Sequence, residues 1–407
     1  MSPFFDGLVN KVKSIISPEQ SPLQAAAKNG DLEAVKKLLA EGADVDSHSF
    51  AFEIPPLAEA ARLGHIEIVR VLLDHNANLE LGFNDVTPLE LAMNNCQFEV
   101  AKLLINKGAN VNTKRTSPLS VACHYRDNDL VDLLIAHGAT YERAKDNYGE
   151  IRLHKSGCAA MLLPRGMGKA DVNARSDNGR TPLHFADKVD DCVQLVANGA
   201  ELNVLDNLGA SPLAYTCRDE IGALSTLVKR DLTEPLNKAR FLIENGADVN
   251  AAGPSAATPL YNAAYRGYLD LIGLLLDNGA DVDGHTEKGE APLCGAASGA
   301  QAKEAVDLLC QRGADVNHQS GASGVTALHM AALSGNINGM QALMTHGADT
   351  NAKSILEGNT PLQFAILCLE SDKTDDTIRL LLANGADPNI ANSSGKKPLI
   401  DAKLLRS

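Results

Sequence analysis

The sequence predicts an all-α solenoid, a line of short antiparallel helix pairs with a loop projecting between successive pairs. Three observations carry the prediction: a Thr-Pro-Leu signature that recurs along the 407 residues, a Gly-Ala-Asp-Val-Asn signature that follows it, and apolar residues at helical spacing between the two. The first signature stands at Thr87-Pro88-Leu89, Thr181-Pro182-Leu183-His184, Thr258-Pro259-Leu260, Thr326-Ala327-Leu328-His329 and Thr360-Pro361-Leu362. Weaker copies begin at Ser21, Pro55, Ser117, Ser211, Ala291 and Lys397. The second signature begins at Gly42, Gly108, Gly138, Gly246, Gly279, Gly313, Gly347 and Gly385, and most unit starts are about 30–35 residues apart.

Each piece has a local reason. A Thr or Ser hydroxyl accepts N–H bonds at a helix N-terminus, and Pro at the first helical position gives up a donor that had no partner there. The first helix of a unit therefore starts at Thr-Pro. Its Ala pairs, Ala60-Ala61, Ala263-Ala264, Ala296-Ala297 and Ala331-Ala332, keep it thin enough to lie close to its neighbours. The second helix carries an apolar stripe, as at Val35, Leu38 and Leu39, at Val69, Leu72 and Leu73, at Ile272, Leu275 and Leu276, and at Ile378, Leu381 and Leu382. Gly behind it suits the left-handed turn that ends a helix, and Asn76, which stands there once, is the next most tolerant residue. Helices of about ten residues are marginal alone. Each pair depends on burying its stripe against the next, at roughly 1.5–3 kcal/mol per fully buried Leu or Ile.

On these motifs and this period the chain resembles the ankyrin-repeat family over about residues 21–400, in about eleven or twelve units, several of them degenerate. The resemblance implies helix-turn-helix units with projecting β-hairpin loops, stacked into an ankyrin-repeat solenoid that binds through its hairpin tips and the concave face of the first helices. It also implies that the Asn closing the second signature, at Asn112, Asn250 and Asn317, is a hydroxylation site in an animal cell.

The pattern divides the chain into an N-terminal amphipathic capping helix (1–20), regular repeats (21–142), irregular repeats (143–250) and regular repeats with a C-terminal cap (251–407). Phe4, Phe5, Leu8, Val9, Val12, Ile15 and Ile16 are expected to cover the open end of the stack. The alternative, a peripheral membrane contact through residues 3–16, has Lys11 and Lys13 as its cations. Between 139 and 170 the spacing of one unit is kept without a Thr-Pro start or an Ala pair. Arg143, Lys145, Arg152, Lys155, Arg165 and Lys169 form a basic stretch there, opposed by Asp146 and Glu150. It reads as a decayed repeat with a solvated loop, or as a dock for an acidic ligand or phosphate. The Thr181 unit is short by about three residues. The Ser211 unit carries an insertion at about 219–235, with Ile221, Leu224, Leu227 and Val228 at helical spacing. Glu370, Asp372, Asp375 and Asp376 read as a solvated acidic loop, and Pro398-Leu399-Ile400 as the start of a closing partial unit.

Composition narrows the function. A net charge of −14 argues against nucleic-acid binding, which needs clustered cations on one face, and favours a basic partner surface. The eight cysteines lie far apart with no zinc-like spacing, as expected of free thiols in a reducing compartment. No apolar run approaches the roughly 20 residues that span a bilayer, and no signal peptide opens the chain, so a cytoplasmic protein is expected. Gly166-Met167-Gly168-Lys169 lacks the earlier Gly of a phosphate loop, where Leu163 stands, and has Ala170 in place of its Ser or Thr. Asp-Val-Asn segments such as Asp248-Val249-Asn250 and Asp315-Val316-Asn317 lack the clustered oxygens that calcium requires. His184 and His329 read as structural braces of the turn. Neither a metal, a cofactor nor catalysis is expected. The competing reading, an enzyme or small-ligand binder on the irregular middle, would use His154, Lys155, Cys158, Arg165 and Lys169.

The expected function is therefore that of a monomeric scaffold holding a protein partner. The chain has nine Phe, seven Tyr and no Trp, so where they stand is informative. Phe50, Phe52 and Phe83 fall at expected hairpin tips. Arg62, Asn94, Asn95, His124, Tyr125, Tyr265 and Arg266 fall near the ends of first helices, where the resemblance places the concave groove. Aromatic and Arg side chains are what binding hot spots use. Irregular arrays of this kind resemble those of intracellular bacteria and their secreted host-directed proteins, which implies an effector or immunity-type inhibitor acting in a host cytosol.

Overall fold

The computed structural model describes residues 21–47, 54–141, 152–155, 157–218, 233–253, 256–285, 290–367 and 374–398. The expected cap at 3–16, Phe50, Phe52, Arg143, Lys145, Glu370, Asp372, Leu399-Ile400 and residues 219–232 of the insertion lie outside them, as does the side chain of Arg152. The chain forms two compact units, Met1–Arg143 with Lys155–Met167, and Ala144–His154 with Gly168–Ser407.

Among the described residues of the first unit four helix pairs follow one another: α1 (Pro22–Asn29) and α2 (Leu32–Ala40), α3 (Pro56–Leu63) and α4 (Ile66–Asp74), α5 (Pro88–Asn94) and α6 (Phe98–Asn106), α7 (Pro118–His124) and α8 (Asn128–Ala136). The short α9 (Cys158–Leu162) packs on α7 and runs into a 3-10 turn, Leu163–Arg165. First helices touch first helices and second helices touch second helices along the row. Leu23, Val35, Leu57, Val69, Leu89, Leu104, Leu119, Leu134 and Leu162 make one continuous core between them. The stripe that marks each second helix is thus buried against the next pair, as the repeat logic requires.

Among the described residues the second unit contains 3-10 turns at Arg152–His154 and Lys169–Asp171, then six pairs. These are α10 (Pro182–Phe185) and α11 (Val189–Ala197), α12 (Pro212–Arg218) and α13 (Thr233–Glu244), α14 (Pro259–Arg266) and α15 (Leu269–Asp277), α16 (Pro292–Ser298) and α17 (Ala302–Gln311), α18 (Ala327–Ser334) and α19 (Ile337–Thr345), α20 (Pro361–Ile366) and α21 (Thr374–Ala383). The shortened Thr181 unit shows its deficit in α10, a single turn. The long Ser211 unit resumes at α13, which takes in the last residues of the expected insertion. Asp375 and Asp376 are not in a solvated loop. They form the first turn of α21, where the helix dipole favours carboxylates.

Among the described residues the loops contain isolated antiparallel bridges and no longer strands: Phe83 with Val86, Ala210 with Ala252, Ser320 with Val325. The first is a two-residue hairpin in which Asn84 and Asp85 both take positive φ, 51° and 61°, the combination that matches strand twist. Asn76 takes φ 63° at its helix end, in line with its choice there.

Two kinds of side chain tie neighbouring pairs together. At the third helical position Glu90 closes a box with Thr87: Thr87 N donates to its Oε2 (2.8 Å) and Glu90 N donates to the Thr87 hydroxyl (3.2 Å). Its other oxygen accepts from Arg115 N and Thr116 N (3.1 and 2.8 Å) in the next unit. His184 and His329 do the same with a ring. Nδ1 accepts from Thr181 N or Thr326 N, so Nε2 carries the proton and donates to Ala210 O (3.1 Å) or Asn359 O (2.9 Å). Gln363 does it with an amide, accepting from Thr360 N (2.8 Å) and donating to Lys396 O (2.9 Å).

The second kind is the Asn that closes the second signature. At Asn112, Asn173, Asn203, Asn250, Asn317 and Asn351 the amide nitrogen donates to a Gly carbonyl of the next unit, at 2.8–3.5 Å. The amide oxygen accepts a backbone N–H from that same unit, at 2.8–3.0 Å. Asp46, Glu80 and Asp283 hold the equivalent place and keep the acceptor half alone.

The degenerate segment is less decayed than its sequence suggests. Leu153 and His154 are buried where Leu-His stands in regular units, and His154 Nε2 faces Ala174 O and Arg180 O, both at 3.1 Å. The Leu-His half of the signature is kept, while Ile151-Arg152 stand where Thr-Pro would be.

Candidate protein-binding surface

In the first unit, the turns that end α5 and α7 bring several of the predicted residues together. The Tyr125 ring stands edge-on to Phe98 and to His124, each with centroids 5.1 Å apart, and remains 50% exposed. The Cys96 thiol donates to its hydroxyl (2.9 Å). Asn94 donates to the Thr116 hydroxyl (3.3 Å), and Asn95 ends α5 by donating to Leu91 O (2.8 Å). Both are exposed. The first helices α1, α3, α14 and α18 end on a left-handed Gly, at Gly30, Gly64, Gly267 and Gly335. Helices α5 and α7 end instead on Cys96 (φ 58°) and Arg126 (φ 55°), a conformation that costs roughly 1–2 kcal/mol for a residue with a Cβ.

In the second unit, Tyr265 is 45% exposed and lies parallel to Tyr261, centroids 6.4 Å apart. The Arg266 guanidinium sits 6.0 Å from the Tyr265 ring, and its Nε donates to Arg218 O (3.1 Å). Tyr261 occupies the position of His184 and His329. Its hydroxyl donates to a carboxylate, Glu290 Oε2, at 3.3 Å. Burial pushes the Glu290 carboxyl above the ordinary range, against the lowering effect of that bond.

The largest apolar exposure lies on residues that sequence reasoning missed. Ile355 and Leu356, in the loop before α20, are 65% and 67% exposed, and Leu367 at the end of α20 is 61% exposed. Beside them Met330, Leu333, Leu356 and Phe364, with Glu290 and Glu357, line a groove of about 310 Å³. Leu208 is a further exposed tip. The signal was present in the sequence. Other loops turn on polar runs such as Asn392-Ser393-Ser394-Gly395, whereas this one carries Ile-Leu, and Asp206-Asn207-Leu208-Gly209 carries a Leu.

The remaining predicted residues are placed as follows. Arg62 makes a two-pronged pair with the buried Glu59 (2.8 and 2.9 Å). Phe83 is half-buried beside its hairpin turn. Asn112, Asn250 and Asn317 are exposed, with their amides engaged between units as described. Of the basic stretch, Arg165 bonds Asp132 (2.6 Å), Asn128 (3.0 Å) and Met161 O (2.6 Å); Lys155 and Lys169 are exposed. His154 and Cys158, which a catalytic reading needs, are both buried. Among the described residues no three His, Cys, Asp or Glu side chains come together to hold a metal ion, and no helix is long and apolar enough to cross a membrane.

The family model described as ankyrin repeats matches residues 23–115, 232–320 and 296–392, and the single ankyrin repeat matches 178–207, together well over half of the chain. Ankyrin repeat and SOCS box protein 16 of Homo sapiens is 35% identical over 189 residues, 44% of this chain and 38% of that protein. Ankyrin repeat and KH domain-containing protein mask-1 of Caenorhabditis elegans is 27% identical over 269 residues, 64% of this chain and 10% of its own length. Ankyrin repeat domain-containing protein SAT10 of Stachybotrys chartarum is 23% identical over 403 residues, 89% of this chain and 20% of its own. The chain thus spans well under half the length of these relatives. The crystal structure of the human ASB11 ankyrin repeat domain aligns with a TM-score of 0.43 at 22% identity, over 67% of this chain and all of that one.

Proposed function

Because the chain belongs to the ankyrin-repeat family, whose members generally join proteins to one another, we propose that it is a scaffold that holds a protein partner through side chains displayed at its inter-helix turns and loop tips. The observation that carries this is the exposure of large apolar and aromatic groups, Tyr125, Leu208, Tyr265, Ile355, Leu356 and Leu367 among them, on a framework whose described residues bury most such groups. Exposed aromatic rings backed by other rings are the anchors interfaces use, because little rotamer freedom remains to be lost on binding. The left-handed Cys96 and Arg126 support the same reading. Strain retained where Gly would relieve it is found where the side chain is needed.

The test is partner recovery by cross-linking in the native cell. Replacing His124, Tyr125, Tyr265 and Arg266 together with Ala should remove at least one protein that the parent chain recovers. An unchanged set of partners contradicts the proposal at these positions.

A further inference from the structure

The groove beside the Ile355-Leu356 loop carries more than a general docking role. We propose that it seats a short peptide segment of a protein partner, one presenting an aliphatic or aromatic side chain next to a Lys or Arg. The inference rests on the scaffold reading and assigns it a place and a ligand chemistry.

Shape argues for one large side chain. At about 310 Å³ the groove is at the small end of ligand sites, which run to about 1,000 Å³. Met330 and Leu333 are one turn apart on α18, and Phe364 on α20 stands three residues before the exposed Leu367 that ends that helix. The wall opposite is built firmly. Ile355 N and Leu356 N both donate to Ser323 O (2.9 and 3.4 Å), and the Ile355 side chain lies so close over Gly324 that an added Cβ would fall 2.3 Å from it. Gly324 also holds φ 59°, so the close approach and the turn both call for Gly.

Charge argues for the flanking cation. The lining contains two carboxylates, Glu290 and Glu357, and no Lys or Arg. Among the described residues neither carboxylate has a cationic partner. Glu357 accepts from Asn359 Nδ2 (2.6 Å) and Glu290 from the Tyr261 hydroxyl (3.3 Å). Glu290, partly buried and held by a neutral donor, is desolvated without a counter-charge, and a peptide ammonium or guanidinium would supply one; the exposed Glu357 adds a second negative charge to the lining. An acidic or purely apolar segment would leave that imbalance in place.

The experiment is a selection of short random peptides displayed on phage against the full chain, counter-selected on a Leu356→Asp variant, followed by fluorescence anisotropy of the enriched synthetic peptides. The expected peptides carry an apolar residue within about two positions of a Lys or Arg. Their binding should weaken at least about tenfold with Leu356→Asp. It should weaken about threefold or more with Glu290→Gln and Glu357→Gln together, fall at about 0.5 M salt, and be unmoved by Tyr125→Ala. Should Leu356→Asp disturb the thermal unfolding curve, Leu356→Ser takes its place. No enrichment over the counter-selection, enrichment of acidic peptides, or equal binding to the double Gln variant overturns the inference. If the groove fails in this way while the Tyr125 and Tyr265 substitutions still remove a cellular partner, the scaffold reading stands and only the groove assignment is lost.

Discussion

Asn250 and Asp283 occupy the same place in neighbouring units and differ by one donor. Asn250 gives its N–H to Gly279 O and takes one from Asp281 N (3.2 and 3.0 Å), while Asp283 takes one from Asp315 N and has no hydrogen to give. Asp283→Asn should therefore raise stability by about 1 kcal/mol, the usual net value of one such bond, seen as a higher urea midpoint. Asn250→Asp should lower it by a similar amount. The bridging histidines make a second prediction. Burial pushes His184 down to about 4, and lowers His329 as well, because the protonated ring would lie in an apolar setting. It would also lose the acceptor that Nδ1 offers the Thr N–H. With a depressed folded value, this stability is fully present above the ordinary His range near 6.5 and is lost as pH falls toward about 4. Gln363 shows that an amide makes the same bridge without titrating. A His184→Gln, His329→Gln variant should lose less of its urea midpoint between neutral pH and the mid-acid range than the parent does.

Among the elements, α19 shows how tightly one helix can constrain another. Gly339 lies within it, where Ala would ordinarily gain about 1 kcal/mol. A Cβ there would stand 2.1 Å from Ala297 O at the end of α16, so helix and neighbour would have to separate. Gly339→Ala should therefore destabilise by about 1–3 kcal/mol despite its better propensity, read as a lower thermal midpoint. Elements were legible in the sequence wherever the signal was local. Thr87-Pro88 and Thr258-Pro259 mark helix starts because capping and proline chemistry act within one turn, and the stripe of α15 is visible because its buried Leu271, Ile272 and Leu275 recur at helical spacing. Contributions from the next unit were hidden. Leu153-His154 looked like decay because its partners, Ala174 O and Arg180 O, lie more than one helix away. Tyr125 and Tyr265 fall at the ends of first helices, as their place just past the Ala-pair position indicates. The groove was not found, since its walls come from three successive units and depend on how Ile355 settles over Gly324.

For the molecule as a whole, stability and function fall to different residues. In each compact unit the Ala pairs, the buried stripes and the side-chain bridges between repeats hold neighbour to neighbour, so the framework depends little on the side chains displayed at its turns and tips. The same division explains why loops can vary: a tip contributes little to packing and is free to carry Ile-Leu instead of a polar turn. The most direct test is thermal unfolding of a variant with Tyr125, Tyr265, Ile355, Leu356 and Leu367 all replaced by Ser. If these groups serve recognition, the midpoint should move by no more than about 3 °C, as for substitutions outside the core. A fall of about 10 °C or more, the scale expected for deleting buried side chains worth about 2–5 kcal/mol each, would place them in the framework and contradict the account.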